Sequence, residues 1–280
     1  MSQVKSNEDV YPIPTGKCDL NRFWELVKRQ IPFSFVRFSD GEIEILRNRR
    51  LVIAEGRTEF RGKQYTNSFP EFDQKRFDPN DGQIFRSDLL ASAMFSDNDY
   101  YKGVPTQHNN SINDREFMLR LNGGFTPQMT FSDLFLNSNF LTARSEFFPA
   151  TVASFRGVVV IGNWRCVLNG YLDSARLVKI PDNFFSSYEA TLDNILTELQ
   201  EIPPSSLVLS SASSLSNIIG HRLRVIRPDI TFLDIGTVLN DLLGLPLNTR
   251  AYHKLMNPRT LREKISTLRY KMSKEYRLCW

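Results

Sequence analysis

The chain predicts an α/β fold with a Rossmann-like, mostly parallel sheet covered by helices on both faces and a basic helical tail. Three observations predict it. From Arg156 onward, short β-branched runs alternate with strongly periodic helical segments, the spacing of a parallel sheet covered on both sides. The runs end in small, hydroxylic or acidic residues, as strands do where they open onto a ligand edge. Composition is that of a folded globular chain, 41% hydrophobic and 24% charged over 280 residues, which excludes a disordered or fibrous protein.

Residues 1–18 read as an irregular arm, and residues 19–249 as a single domain. "DLNRFWELVKRQ" predicts a helix with Asp19 or Asn21 as cap and Phe23, Leu26 and Val27 on one face. Pro32 ends it, Phe33 to Phe38 is a strand, Ser39 to Gly41 its loop, and "EIEILRNRR" the next helix. Residues 55–82, rich in Gly, Arg, Asn, Asp and Pro with weak periodicity, read as a long surface insertion or lid. "GQIFRSDLLASAMF" restores a helical pattern through Ile84, Leu89 and Ala93, and "YYKGVPT" holds a short strand. "DREFMLRL" and "FSDLFLNSNFLTARSEFF" predict helices, the second broken at Pro149. Beyond Arg156 come strand "GVVVIG", helix "WRCVLNGYLDSA", strand "RLVKIP", helix "SYEATLDNILTELQEI", strand "SSLVLS", helix "SSLSNIIGHRLRVI", strand "ITFLDIG" and helical "TVLNDLLG".

No run approaches the roughly 18 to 20 apolar residues that span a bilayer, and the first residues are polar, so a cytoplasmic protein is expected. Cys18, Cys166 and Cys279 are too few and too scattered for a disulfide framework or a zinc site. His108, His221 and His253 have no metal spacing, and no Walker loop, dinucleotide fingerprint or G-x-S-x-G elbow occurs. Charge is unevenly placed. Nine of the 35 Lys and Arg, but two of the 31 Asp and Glu, lie in residues 250–280, a balance of +7 there against −3 over residues 1–249.

The strand ends carry the candidate chemistry. Asp40 and Glu42 are hard oxygen donors flanking Gly41, which leaves room for a ligand near the backbone; such a pair suits Mg²⁺ or Mn²⁺ with diphosphate oxygens. The same residues equally suit a helix cap and an acidic first turn. Ser210 to Ser216 turn from a strand into a helix whose N–H groups suit an anion, or simply cap the helix. Asp234 and Asp241 are candidates for a ribose contact, a metal contact or the removal of a proton from an acceptor hydroxyl. Arg37 and Arg144 have guanidinium forks that match phosphate oxygens.

Taken together, "FVRFSDGEIEIL", "TARSEFF", "VVVIGNW", "VKIPDNFFSSYEATLDNIL", "LVLSSASSLSNIIGHRL" and "FLDIGTVLND" resemble, in order and spacing, a family of bacterial glycosyltransferases of the GT-D fold type, once known only as a domain of unknown function. The resemblance covers about residues 20–245. It implies transfer of a sugar from a nucleotide diphosphate donor, usually a UDP-sugar, to a bacterial surface glycan, for example a lipid-linked polysaccharide of the O-antigen kind. The family's D-x-E pair, associated with metal and donor diphosphate, falls on Asp40 and Glu42; its small-residue loop falls on Ser210 to Ser214, and its acidic position after D-I-G on Asp241. Ser39 stands where the family commonly has Gly, Thr237 where it commonly has His, and the serine loop replaces one containing Gly-Pro.

The expectation is therefore a metal-dependent glycosyltransferase, with Asp40, Glu42, Asp241 and Asp234 in the chemistry and Mn²⁺ or Mg²⁺ on Asp40 and Glu42. Donor contacts are expected from Arg37, Ser39, Gly41, Arg144 and Asn163, and from Ser211, Ser213, Ser214, Gly236 and Thr237. A hydrolase of nucleotide-sugars or phosphate esters and a noncatalytic nucleotide-binding module are the competing readings. In the tail, Leu261, Ile265, Leu268, Met272 and Tyr276 recur at helical spacing among Lys and Arg. That is the pattern of a helix lying on the anionic inner face of the cytoplasmic membrane through residues 255–280, or of one docked on its own domain or a partner. Nucleic acid is not expected, because the basic residues are confined to the tail.

Overall fold

The computed structural model describes residues 16–54, 57–66, 74–106, 112–247, 251–256, 258, 260–273 and 276. Most of the expected N-terminal arm, His108, Cys279 and the end of the tail lie outside the described residues. The main sheet has seven strands, all parallel: β1 (Ser34–Arg37), β6 (Tyr100–Val104), β7 (Met129–Phe131), β8 (Val158–Asn163), β9 (Arg176–Ile180), β10 (Leu207–Ser210) and β11 (Thr231–Asp234), in the order β7-β6-β1-β11-β10-β8-β9. Side chains alternate between its two faces. Phe35, Val160, Leu207, Leu209 and Leu233 enter one apolar cluster, while Val36, Val159, Val208 and Phe232 enter the other. This is the period of two that a strand buried on both sides requires.

Helices cover each face. α1 (Gly16–Lys28), α5 (Phe140–Thr142), α6 (Phe148–Ser154) and α9 (Leu261–Lys271) lie with Phe35; α2 (Asp40–Leu46), α3 (Gln83–Met94), α4 (Ile112–Leu121), α7 (Tyr188–Gln200) and α8 (Ser214–Ile226) lie with Val36. The chain runs outward from β1 through β6 to β7, crosses to β8 and the edge strand β9, and returns through β10 to β11 beside β1. Ser34 and Phe35 pair with Phe232 and Leu233, so the carboxyl ends of β1 and β11 adjoin at the point where strand order reverses.

Several elements differ from the sequence reading, each for a local reason. α1 begins at Gly16, and Asp19, in its first turn, accepts from Thr130 Oγ1 at 2.5 Å and pairs with Arg22 at 3.2 Å rather than capping. α2 begins at Asp40, two residues earlier than a loop over Ser39–Gly41 allows, because Ser39 is the cap and its N–H donates to Glu42 Oε2 at 2.9 Å. The insertion, together with residues 51–54 just before it, forms an antiparallel sheet of β2 (Leu51–Ala54), β3 (Arg57–Phe60), β4 (Lys63–Tyr65) and β5 (Lys75–Phe77), in the order β4-β3-β2-β5. In α3 it is Phe85, not Ile84, that joins Leu89 and Ala93 inside.

"WRCVLNGYLDSA" forms only a 3-10 turn at Gly170–Leu172. It is tied instead to the segment after β11: Val167 N–H donates to the Leu243 carbonyl at 3.0 Å, and the Asn169 side chain through Nδ2 to that of Leu242 at 3.4 Å. "TVLNDLLG" is a chain of turns bounded by Gly236 and Gly244, both at positive φ. Pro149 does not break its segment. A π-helical turn over Ala143–Phe147 precedes it and Pro149 falls in the first turn of α6, where a missing N–H is tolerated.

Lys102 on β6 is buried, and its Nζ donates to the carbonyls of Phe95 at 3.0 Å and Ala93 at 3.2 Å and to Asn122 Oδ1. Burial pushes the ammonium down from its ordinary 10.5 to about 8. Lys102→Met should cost about 1–3 kcal/mol, because acceptors that Lys102 satisfies lose their donor. Between those two values the unfolded chain binds the extra proton, so the folded state gains stability as pH rises. Urea melts of wild type and variant across that window should show the variant's deficit widening with pH; a flat deficit contradicts it.

Candidate functional site

Beyond the carboxyl ends of β1, β8, β9, β10 and β11 lies an open pocket of about 260 Å³. All the residues expected at the site line it except Arg144 and Asp241. One wall comes from the insertion sheet through Leu51, Ile53 and Lys75, held against the β9 loop by a 2.7 Å bond from Arg76 N–H to Asn183 Oδ1. Another comes from Tyr252, whose hydroxyl is hydrogen-bonded to Thr237 Oγ1. Lys75 and Tyr252 were not foreseen. Neither carries a local motif, and each reaches the pocket only through docking of a distant segment.

Charge is concentrated on one side. Arg37, the last residue of β1, carries a largely buried guanidinium whose Nε lies 3.9 Å from Asp234 Oδ2. Its Nε and Nη1 are buried without a hydrogen-bond partner. Gly236, at φ +50°, passes so close that a Cβ there would stand 2.2 Å from Arg37 Nη1. Glu42 is pushed up to about 7, first by burial and then by the nearby Asp234 and Asp40, with Arg37 opposing. Asp234, whose Oδ1 accepts Gly236 N–H at 3.0 Å, is also raised by burial, again against the pull of Arg37. Two carboxyls, Asp234 and Glu42, thus share one guanidinium, with Asp40 adding its charge beside Glu42.

The serine turn divides its groups between structure and pocket. Ser210 and Ser216 share a hydroxyl contact of 2.8 Å, Ser216 Oγ accepts Ala212 N–H at 3.1 Å, and Ser211 Oγ donates to the Gly236 carbonyl at 2.7 Å, tying the β10 and β11 loops together. Ser213, the N-cap of α8, sits at φ +51°, a conformation that ordinarily favours glycine, and lines the pocket with Ser214. α8 therefore starts at the pocket with the positive end of its dipole, although the first-turn N–H groups of Leu215 and Ser216 already donate to the Ala212 and Ser213 carbonyls at 3.2 and 2.8 Å. At β8, Asn163 Nδ2 donates to Asp182 Oδ1 at 2.7 Å. Burial alone raises Asp182, but donation from Arg165, Asn163 and Trp164 outweighs it and holds the carboxyl below its usual range.

Arg144 and Asp241 engage each other instead. Arg144 Nε lies 3.0 Å from Asp241 Oδ2, and this bond holds the guanidinium above its ordinary value against burial.

Hard oxygen donors crowded together with a single opposing guanidinium are the chemistry that a divalent cation neutralises, and Mg²⁺ or Mn²⁺ needs only one or two protein carboxylates beside water and phosphate oxygens. Asp40 and Glu42 both line the pocket, where Asp40 Oδ1 accepts Gly41 N–H at 3.0 Å and Glu42 Oε2 accepts Ser39 N–H at 2.9 Å, so this pair would meet such an ion through the oxygens those bonds leave over; no cluster of three His, Cys, Asp or Glu ligands is assembled among the described residues.

No family model matches the chain, and no curated protein matches it. Among solved structures, it is similar over 78% of its length to a selenomethionine-substituted domain of unknown function 1792, at 15% identity and a TM-score of 0.49, covering 77% of that chain. A second structure of domain of unknown function 1792, described as having a distinct glycosyltransferase fold, is similar at 15% identity and a TM-score of 0.46, again over 78% of this chain and 77% of the other.

Proposed function

We propose that the chain is a glycosyltransferase that moves a sugar from a nucleotide diphosphate donor to a hydroxyl acceptor. The observation that carries this reading is Arg37: a buried guanidinium with two unused donors, set among carboxylates at the reversal of strand order. A group there must satisfy a cation fork and tolerate acids nearby, which a diphosphate accompanied by a divalent cation does. The bond from the anomeric carbon to the diphosphate oxygen breaks with its electron pair going to the diphosphate. The acceptor oxygen bonds to that carbon and gives up its proton.

Arg37 and the positive end of α8 at Ser213 and Ser214 hold the departing diphosphate and stabilise its charge. Asp40 and Glu42 would hold Mg²⁺ or Mn²⁺, which when bound would supply further positive charge to the leaving group. Of the two aspartates considered for proton removal, Asp234 lines the pocket, and burial raises its basicity. UDP as the nucleotide and a surface polysaccharide as acceptor follow from the resemblance of the strand-end segments.

UDP-sugar and Mn²⁺ together should raise the melting temperature more than either alone. Asp40→Ala, at an exposed position, should leave the fold intact and remove that joint effect together with sugar transfer. An unchanged transfer rate in Asp40→Ala would sink the assigned site. Full-speed release of free sugar without any acceptor would favour hydrolysis, and an intact donor after long incubation a binding module.

A further inference from the structure

Among the described residues no helix is long and apolar enough to cross a membrane. α9 nevertheless leaves an apolar stripe in the open: Leu261 is 74% exposed, Ile265 44%, Leu268 60% and Met272 69%. At 3.6 residues per turn these side chains fall within roughly 60° of one another. Lys264 and Lys271 flank the stripe on one side and Arg262 and Arg269 on the other, all four exposed. The opposite face is the one docked on the body. Thr267 and Tyr270 are buried there, Tyr270 donates to Asn137 Oδ1 at 2.6 Å, and Tyr276, expected on the stripe, instead meets the Tyr270 ring at 5.4 Å between centroids. The helix is therefore anchored through its back, and packing on its own domain does not account for the apolar stripe.

We propose that α9 lies in the plane of an anionic lipid surface, its stripe among the acyl chains and its four flanking cations at the headgroups. Charge complementarity selects this occupant: two rows of positive charge border the stripe on both sides, whereas α9 has a single acid, Glu263. A protein groove would need acids on both rims; an anionic bilayer supplies them at every position. α9 packs on the 3-10 turn Ala251–Leu255, which contributes Tyr252 to the pocket wall, so the surface contact and the pocket share one continuous support. The inference deepens the transfer reading by placing the acceptor in a lipid surface. Vesicle binding is measured without turnover, so the two fail separately.

The full chain is sedimented with vesicles of phosphatidylcholine alone and of phosphatidylcholine mixed with phosphatidylglycerol. Wild type should pellet with the anionic vesicles only. Replacing Arg262, Lys264, Arg269 and Lys271 by Gln should weaken binding by about fivefold per residue. Leu261→Ser with Leu268→Ser and Met272→Ser should weaken it roughly tenfold or more while leaving circular dichroism unchanged, because these side chains are already exposed. Equal pelleting with both vesicle types, or an unchanged triple serine variant, overturns the proposal. So does a dimer in solution that fails to bind vesicles and that Leu268→Ser dissociates, since the stripe is then a contact between copies.

Discussion

Arg37→Met should lose nucleotide diphosphate binding and, separately, about 3–5 kcal/mol of stability near neutral pH, the usual cost of stripping the partner from a buried ion pair. Both losses trace to one guanidinium. It is the opposing charge for Asp234 and Glu42, and its Nε and Nη1 have no hydrogen-bond partner. Without it, both carboxyls hold their protons more tightly in the folded state than in the unfolded chain. The sign follows from linkage: stability relative to wild type is lost as pH rises and regained as pH falls into the range where both carboxyls are protonated. Urea melts in mild acid and near neutrality should therefore show a deficit that shrinks in acid.

The binding loss is separated from the stability loss by Arg37→Lys. An ammonium keeps the charge beside Asp234 but cannot present the fixed, planar set of N–H donors that a guanidinium offers a diphosphate. Losing two charge-assisted hydrogen bonds, at roughly 1.5–3 kcal/mol each, should weaken binding of a nucleoside diphosphate by about a hundredfold or more in calorimetry. The melting temperature of Arg37→Lys should stay much nearer to wild type than that of Arg37→Met. Undiminished affinity in Arg37→Lys contradicts the assignment of those donors to the ligand.

What could be read from the sequence follows how local its cause is. The strands of the second half were legible because each is a short apolar run buried on both faces, and Val159, Val160 and Ile161 need no partner identified to be read as β. Their ends were legible for the same reason, and with them most of the pocket lining. The insertion was not, because β2 to β5 bury little and their pattern is set by antiparallel pairing among themselves. The two segments read as helices after β8 and β11 had helical composition, but the second closes into short turns of its own and the first is tied to it by the Val167 to Leu243 backbone bond. Asp241 illustrates the consequence. The resemblance set its acidic position after D-I-G at the site, whereas the turns formed here direct Asp241 to Arg144.

Gly236→Ala tests the pocket from its backbone side. Gly236 has φ +50°, which costs an L-residue about 1–2 kcal/mol, and the added Cβ would stand 2.2 Å from Arg37 Nη1. The atom in the way is the far end of a flexible side chain, so the fold should survive with Arg37 displaced. Ser211 Oγ, which holds the Gly236 carbonyl at 2.7 Å, keeps the loop from moving aside instead. The expected result is a modest loss of stability, about 1–2 kcal/mol by urea melt. Diphosphate affinity should fall roughly as far as in Arg37→Lys, because two donors lose their aim. Since both substitutions act through the same guanidinium, their double variant should bind little worse than either single one, a non-additivity that a double-mutant cycle measures directly. Additive losses would mean that Gly236 and Arg37 meet the ligand independently, and that the close approach of the β11 loop to Arg37 has no part in positioning it.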